Sequence, residues 1–204
     1  MNTTRLSKRL SWLLRHGAHE TGLPMDAAGW ASIHDVQRVL AIGLRAIERC
    51  VAENNKRRLQ LEGDRIRATQ GHSFSGTPVT HEALEASWVR VDDRVAPLVH
   101  GTSAAKAPEI ARSGGLRPMN RTHVHLAGSG TARVGKRAGV ALHLLIDPER
   151  LRASGHELFV SPNGVFLARE VPWHCVCDIE WQRRRSPEEE AGLRARLVPA
   201  ANSD

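Results

Sequence analysis

Four short stretches of this chain join cationic or imidazole side chains to small residues in a way that suits an anion. Arg15-His16 closes a basic run that begins at Arg5. Arg67 leads into Thr69-Gln70-Gly71-His72-Ser73, a poor strand but a good ligand loop, because glycine lets backbone approach a bound group. His100-Gly101-Thr102 follows an apolar run and precedes a helical stretch capped near Thr102 or Ser103. A strand end feeding a helix N-terminus offers free N–H groups and a positive dipole end. Asn120-Arg121-Thr122-His123-Val124-His125 adds a guanidinium and two imidazoles. Planar guanidinium forks hold phosphate without a metal, and imidazole can bind it or move a proton near neutral pH. Singly, each stretch also has a plainer reading. Arg15-His16 fits a solvated helix face with a capping histidine, and Arg65 with Arg67 fits phosphate tracking from a hairpin. His123 and His125 invite a metal, but no third ligand or acidic partner has suitable spacing. No metal is expected.

The elements that must position these residues divide the chain. Residues 4–16 read as an amphipathic helix with Leu6, Leu10, Leu13 and Leu14 on one face. Arg5, Lys8, Arg9, Trp12, Arg15 and His16 lie on another face, and Gly17 is a stop signal. Ser32 can cap a second helix over 33–41, and a third runs from Gly43 to about Asn54. The period then changes to two, and Leu59 and Leu61, a Glu62-Gly63-Asp64 turn, and Ile66 and Ala68 predict a β-hairpin. Three helices and a hairpin is the order of a winged helix. Beyond a connector over 72–95, short apolar runs at 95–99, 123–127, 140–146, 157–160, 164–168 and 174–181 predict strands, with helices only near 104–113 and 149–153. A doubly wound sheet is excluded by that order, and an α+β chain with mainly antiparallel pairing is expected. The stretch after Arg183-Arg184-Arg185 reads as a peripheral helix with a frayed end.

Composition narrows the partners. The 204 residues carry a net charge of +7. Basic residues exceed acidic ones by fourteen to eleven in 1–95 and by fifteen to eleven in 96–204, so the excess is no basic tail. A surface charged in this way favours a polyanion, nucleic acid being the commonest. Three cysteines, Cys50, Cys175 and Cys177, imply no disulfide framework and point to a reducing compartment. Cys175 and Cys177 read as strand residues. With no apolar run of 18 residues and no apolar leader, a cytoplasmic protein without a membrane span is expected, as a monomer.

Together the stretches resemble the RNA 2′-phosphotransferase family, the Tpt1/KptA enzymes. The resemblance rests on Leu13-Leu14-Arg15-His16, the run Arg65 to Ser73, His100-Gly101-Thr102, the run Gly115 to Leu126, Val134-Gly135-Lys136-Arg137, and the run Ser161 to Leu167, in family order across most of 5–181. It implies a winged-helix-like RNA-binding lobe over 1–94, an ADP-ribosyltransferase-like NAD-binding lobe over 95–182, and a tail over 183–204. NAD would lie in the cleft between the lobes. It also implies a reaction. An internal 2′-phosphate of RNA, as left by tRNA splicing, attacks the nicotinamide ribose carbon of NAD and expels nicotinamide. The ribose 2″-hydroxyl then attacks the same phosphorus. RNA with a free 2′-hydroxyl and ADP-ribose 1″,2″-cyclic phosphate are released.

By position, Arg15, His16, Arg67 and Arg121 match the family's catalytic set. His100, Gly101 and Thr102 match its NAD site, with Gly71, His72, Ser73, His123, Arg137, Ser161 and Asn163 as further cofactor candidates. No Gly-x-Gly-x-x-Gly is present, so NAD is expected as a consumed co-substrate. Two departures bear on cofactor affinity: the chain has no Tyr, with Val99 before His100, and Val160 stands before Ser161 where a basic residue is frequent. The alternative that keeps this fold is a transferase that ADP-ribosylates nucleic-acid terminal phosphates or protein and stops there. A non-catalytic winged-helix regulator is a third reading, which the motif-rich second half disfavours.

Overall fold

Leu6, Leu10, Leu13 and Leu14 form the stripe that anchors the start of the chain, each at most 3% exposed. Burial of one such leucine contributes roughly 1.5–3 kcal/mol. The computed structural model describes residues 3–128, 140–182 and 186–198. The first helix, α1 (Thr3–Trp12), does not stop at Gly17. It passes into a π-helical turn, Leu13–Gly17, and resumes as α2 (Ala18–Thr21). The expected stop is therefore displaced to Gly22, whose N–H bonds Ala18 O and His19 O.

Two compact units emerge, and neither is contiguous in sequence. The first comprises 1–89, 119–122 and 161–163. In it β1 (Ala31–Ser32) runs into α3 (Ile33–Leu40), capped as expected by Ser32 Oγ accepting from His34 N–H. After α4 (Leu44–Ala52), β2 (Leu59–Glu62) and β3 (Arg65–Ala68) form the expected hairpin, with Gln60 opposite Arg67. β1 adds a third strand, giving the order β1-β3-β2. Ile33, Val36, Leu40, Ile47, Cys50, Leu59 and Ile66 join the leucine stripe in one core. A short α5 (His81–Glu85) interrupts the stretch read as a connector, capped by Thr80.

The second unit comprises 90–118, 123–160 and 164–204. Its strands pair antiparallel. β5 (Leu98–Thr102) lies against β8 (Leu142–Ile146), which pairs on its other edge with β12 (Val176–Trp181). β10 (Phe166–Ala168) lies between β7 (Val124–Leu126) and β9 (Phe159–Val160), and β6 (Gly115–Leu116) pairs β11 (Val171–Pro172). Among the described residues one further strand, β4 (Val89–Arg90), pairs at the outer edge of β9. Helices α6 (Ala107–Arg112) and α7 (Pro148–Ala153) fall where the sequence puts them. Two expectations need correction. Cys175 closes a 3₁₀ turn ahead of β12, while Cys177 is a strand residue. The tail helix, α8 (Pro187–Leu197), is more than peripheral, because Leu193 and Leu197 enter the core and Trp173 Nε1–H donates to Leu197 O. Arg194 secures it on Asp178 and on Ile179 O. Helices first, then several antiparallel sheets, make this an α+β chain.

Candidate phosphate-binding site

The π turn has an identifiable cause. In an unbroken α-helix the Arg15 carbonyl would accept from His19 N–H. Here Ser73 takes that carbonyl, through its N–H at 2.9 Å and its hydroxyl at 3.3 Å. His19 N–H turns instead to Gly76 O at 3.1 Å. Residues 73–76 thus replace one rung of the helix with an equivalent pair of bonds, so the widened turn leaves neither backbone group unsatisfied. Gly76 makes this approach possible. A Cβ there would lie 2.0 Å from His16 O.

The widened turn presents Arg15 and His16. Arg15 is the notable side chain: among the described residues its Nε and Nη2 are buried and have no hydrogen-bond partner. Burial first, then Arg121 and Arg58, draw its pKa down to about 10, which leaves it charged at neutral pH. A partly buried cation with two buried donors, facing other cations and with no carboxylate paired to it among the described residues, is a costly arrangement unless an anion is to arrive. Gly71, at φ +89°, lies beside it, where a Cβ would come 3.4 Å from Nε.

His16 is fixed by its other neighbour. Its Nδ1 is 3.1 Å from Ser73 Oγ. Since that hydroxyl donates to Arg15 O, its lone pair is left for Nδ1–H, and Nε2 of the neutral ring carries the free lone pair. Burial, then Arg121, then Arg15 lower the His16 pKa, so the ring is neutral at pH 7. Arg121 arrives on the 119–122 segment, held to the first unit by Thr122 N–H donating to His72 O at 2.9 Å. His81 Nε2 lies 3.0 Å from Thr122 O. Burial also lowers the Arg121 pKa. Arg15, His16 and Arg121 thus form one electrostatic group within the first unit.

Arg67 is differently set. Only 5% exposed, it is no wing cation tracking phosphates from solvent. Its Nε and Nη2 donate to Gln60 Oε1 at 3.0 and 2.9 Å, and its guanidinium lies 4.5 Å from the centre of the Trp30 ring. Arg65 lies over the same ring, as strand alternation requires. Burial lowers the Arg67 pKa, and the charges bearing on it are Glu62, Asp26 and Arg65, not those around Arg15.

The other expected residues distribute as follows. His72 is fully buried against Gly29, and Ser161 Oγ–H donates to Asn163 Oδ1. Asn163 Nδ2–H in turn donates to Lys56 O. His100, Gly101 and Thr102 end β5 in the second unit, with Gly101 opposite His143. His100 Nδ1 bonds His125 O at 3.2 Å, and burial holds the ring neutral with Nε2 as an acceptor. His123 is buried one residue ahead of β7. Arg137 lies outside the described residues. No cluster of His, Cys, Asp or Glu among the described residues could hold a metal. Sequence reading missed Gln60, Trp30, Gly76 and Arg58. Gln60 alone had a local signal, as it stands opposite Arg67 in any two-residue-turn hairpin.

A partly buried arginine with unsatisfied donors, beside a neutral imidazole and a second arginine, is an arrangement suited to an anion. The model of the RNA 2′-phosphotransferase, Tpt1 / KptA family matches residues 1–170, and the chain belongs to that family, which makes it an enzyme. Its relatives agree. A "Probable RNA 2′-phosphotransferase" of Rhizobium johnstonii is 37% identical over 176 residues, spanning 83% of this chain and 90% of the relative. One from Streptomyces coelicolor is 39% identical over 179 residues, 83% of this chain and 92% of the relative. The "tRNA 2′-phosphotransferase 1" of Danio rerio is 40% identical over 178 residues, 80% and 76% of the two chains. No helix among the described residues is long and apolar enough to cross a membrane.

Proposed function

We propose that the chain removes an internal 2′-phosphate from RNA at the expense of NAD, releasing nicotinamide and ADP-ribose 1″,2″-cyclic phosphate by the two-stage course set out above. The observation that carries this reading is the unpartnered pair of donors on Arg15, which a phosphate monoester satisfies. Such an ester brings nearly two negative charges, and its transfer keeps charge on the equatorial oxygens. Arg15 and Arg121 bind those oxygens, and Arg67 completes the set with a charge that a neutral amide has oriented without cancelling. His16 is neutral before the phosphate arrives. An anion raises its pKa, so the ring takes a proton on Nε2 and can pass it to the departing 2′-oxygen.

NAD supplies an electrophilic ribose carbon with nicotinamide as leaving group. His100, Gly101 and Thr102 are the residues that hold it. The neutral His100 ring, with Nδ1–H engaged by His125 O, leaves Nε2 to accept from an amide or a ribose hydroxyl. Gly71, His72, Ser73, His123, Arg137, Ser161 and Asn163 are carried as further contacts. Ser73 has a second task, orienting His16. The N-terminal helices and three-stranded sheet are a winged-helix-like RNA-binding lobe over 1–94, and 95–182 an ADP-ribosyltransferase-like lobe.

The test is direct. NAD and a 2′-phosphorylated oligonucleotide are mixed with the protein, and products are followed by mass spectrometry. Dephosphorylated RNA with ADP-ribose cyclic phosphate is the expected outcome. RNA that keeps both phosphate and ADP-ribose would establish the arrested transferase instead.

A further inference from the structure

Several large apolar side chains stand exposed, among them Trp12, Leu44, Phe74 and Met119. Phe74 differs from the others in what holds it. It follows Ser73, whose hydroxyl fixes His16, and its ring meets His81 edge-on, with centroids 4.9 Å apart and planes at 82°. His81 in turn bonds Thr122 O, next to Arg121. The ring is therefore tied on one side to the imidazole of the phosphate group and on the other to the segment bearing Arg121. All of these residues belong to the first unit. Yet Phe74 is 46% exposed.

The geometry points to Phe74 as the platform on which a nucleobase flanking the 2′-phosphorylated nucleotide stacks. An edge-on contact leaves aromatic surface open while stopping the ring from turning, which suits a base with an exposed π-face. Single-stranded RNA is commonly recognised in this way, by aromatic stacking beside cationic phosphate contacts. The stack reads no sequence, because every base offers a face. It acts on affinity: the neighbouring base is held while its phosphate occupies the site beside Arg15. The inference rests on the reading of Arg15, His16 and Arg121 as the phosphate site.

The experiment pairs protein variants with altered RNA. Affinity for a labelled 2′-phosphorylated oligonucleotide is read by fluorescence anisotropy, and turnover with NAD is followed in parallel. Phe74→Leu keeps apolar bulk without the ring, Phe74→Trp keeps a ring, and Leu44→Ala removes an exposed apolar group elsewhere. An abasic nucleotide is placed on either side of the phosphate. Phe74→Leu should weaken binding about tenfold, the loss of one base–aromatic stack, with kcat within about twofold of the parent. Phe74→Trp and Leu44→Ala should bind as the parent does. An abasic site on one side should weaken parental binding to the same degree and add nothing in Phe74→Leu. Independent, additive losses, or unaltered binding in Phe74→Leu, would overturn the platform. Failure of the parent to release nicotinamide would instead overturn the functional reading, and anisotropy separates the two.

Discussion

The π turn and the β2–β3 hairpin each deliver an arginine with donors withdrawn from solvent, and they treat it in opposite ways. In the turn, Arg15 is left with two donors unsatisfied among the described residues and faces Arg121 and Arg58. In the hairpin, Arg67 is engaged by the Gln60 carbonyl and the Trp30 ring. One arginine keeps two donors unsatisfied, and the other is held by a neutral amide and an aromatic ring. If both arginines hold the phosphate as proposed, stability and function are set against each other at Arg15 and aligned at Arg67.

The comparison yields tests of decreasing size. Arg15→Ala or Arg121→Ala should lower single-turnover phosphate removal by about 10²–10³-fold, the cost of losing one donor to developing charge. Arg67→Ala should lose about as much. A pure scaffold role would show there as a lower melting temperature with turnover intact, and would remove Arg67 from the catalytic set. Arg15→Met should stabilise the free protein by about 1–3 kcal/mol in denaturant titration, since it removes buried unsatisfied donors. Inorganic phosphate should raise the parental melting temperature and leave this variant unmoved. A less stable Arg15→Met would break the contrast. Gln60→Leu should cost about 1.5–3 kcal/mol of stability, as both charge-assisted hydrogen bonds from Arg67 are lost, and reduce turnover less than Arg67→Ala does.

The smallest effect concerns pH. His16 has a folded-state pKa below its ordinary 6.5, because burial and the two arginines oppose its charge. As pH falls, the unfolded chain takes up the proton first. The His16 contribution to stability is therefore complete above about 6.5 and is lost as pH drops through the folded value. His16→Gln should flatten that part of the stability curve, while His100, lowered in the same direction, keeps the remainder. Bound phosphate should weaken the dependence, since the ring then titrates near an anion.

Much of the fold was legible because period and punctuation are local. The leucine stripe, the Ser32 cap and the hairpin across Gly63 stand where the residues put them. Gly17 misled for a non-local reason. A glycine ends a helix when nothing beyond it supplies partners, and here residues 73–76 do. The tail was under-read in the same way, as Leu193 and Leu197 show no helical stripe of their own and are buried by a core assembled elsewhere.

The order of the motifs was sufficient to show the resemblance to the family, because each motif is a short contiguous run that can be read in the letters. The sequence could not say which of its arginines is left unsatisfied. That depends on which groups share a low-dielectric interior. Ser73 intercepting the Arg15 carbonyl and Gln60 occupying Arg67 are contacts 58 and 7 residues apart. Only the folded chain brings the first of these pairs together and sets the burial that separates a waiting cation from a satisfied one.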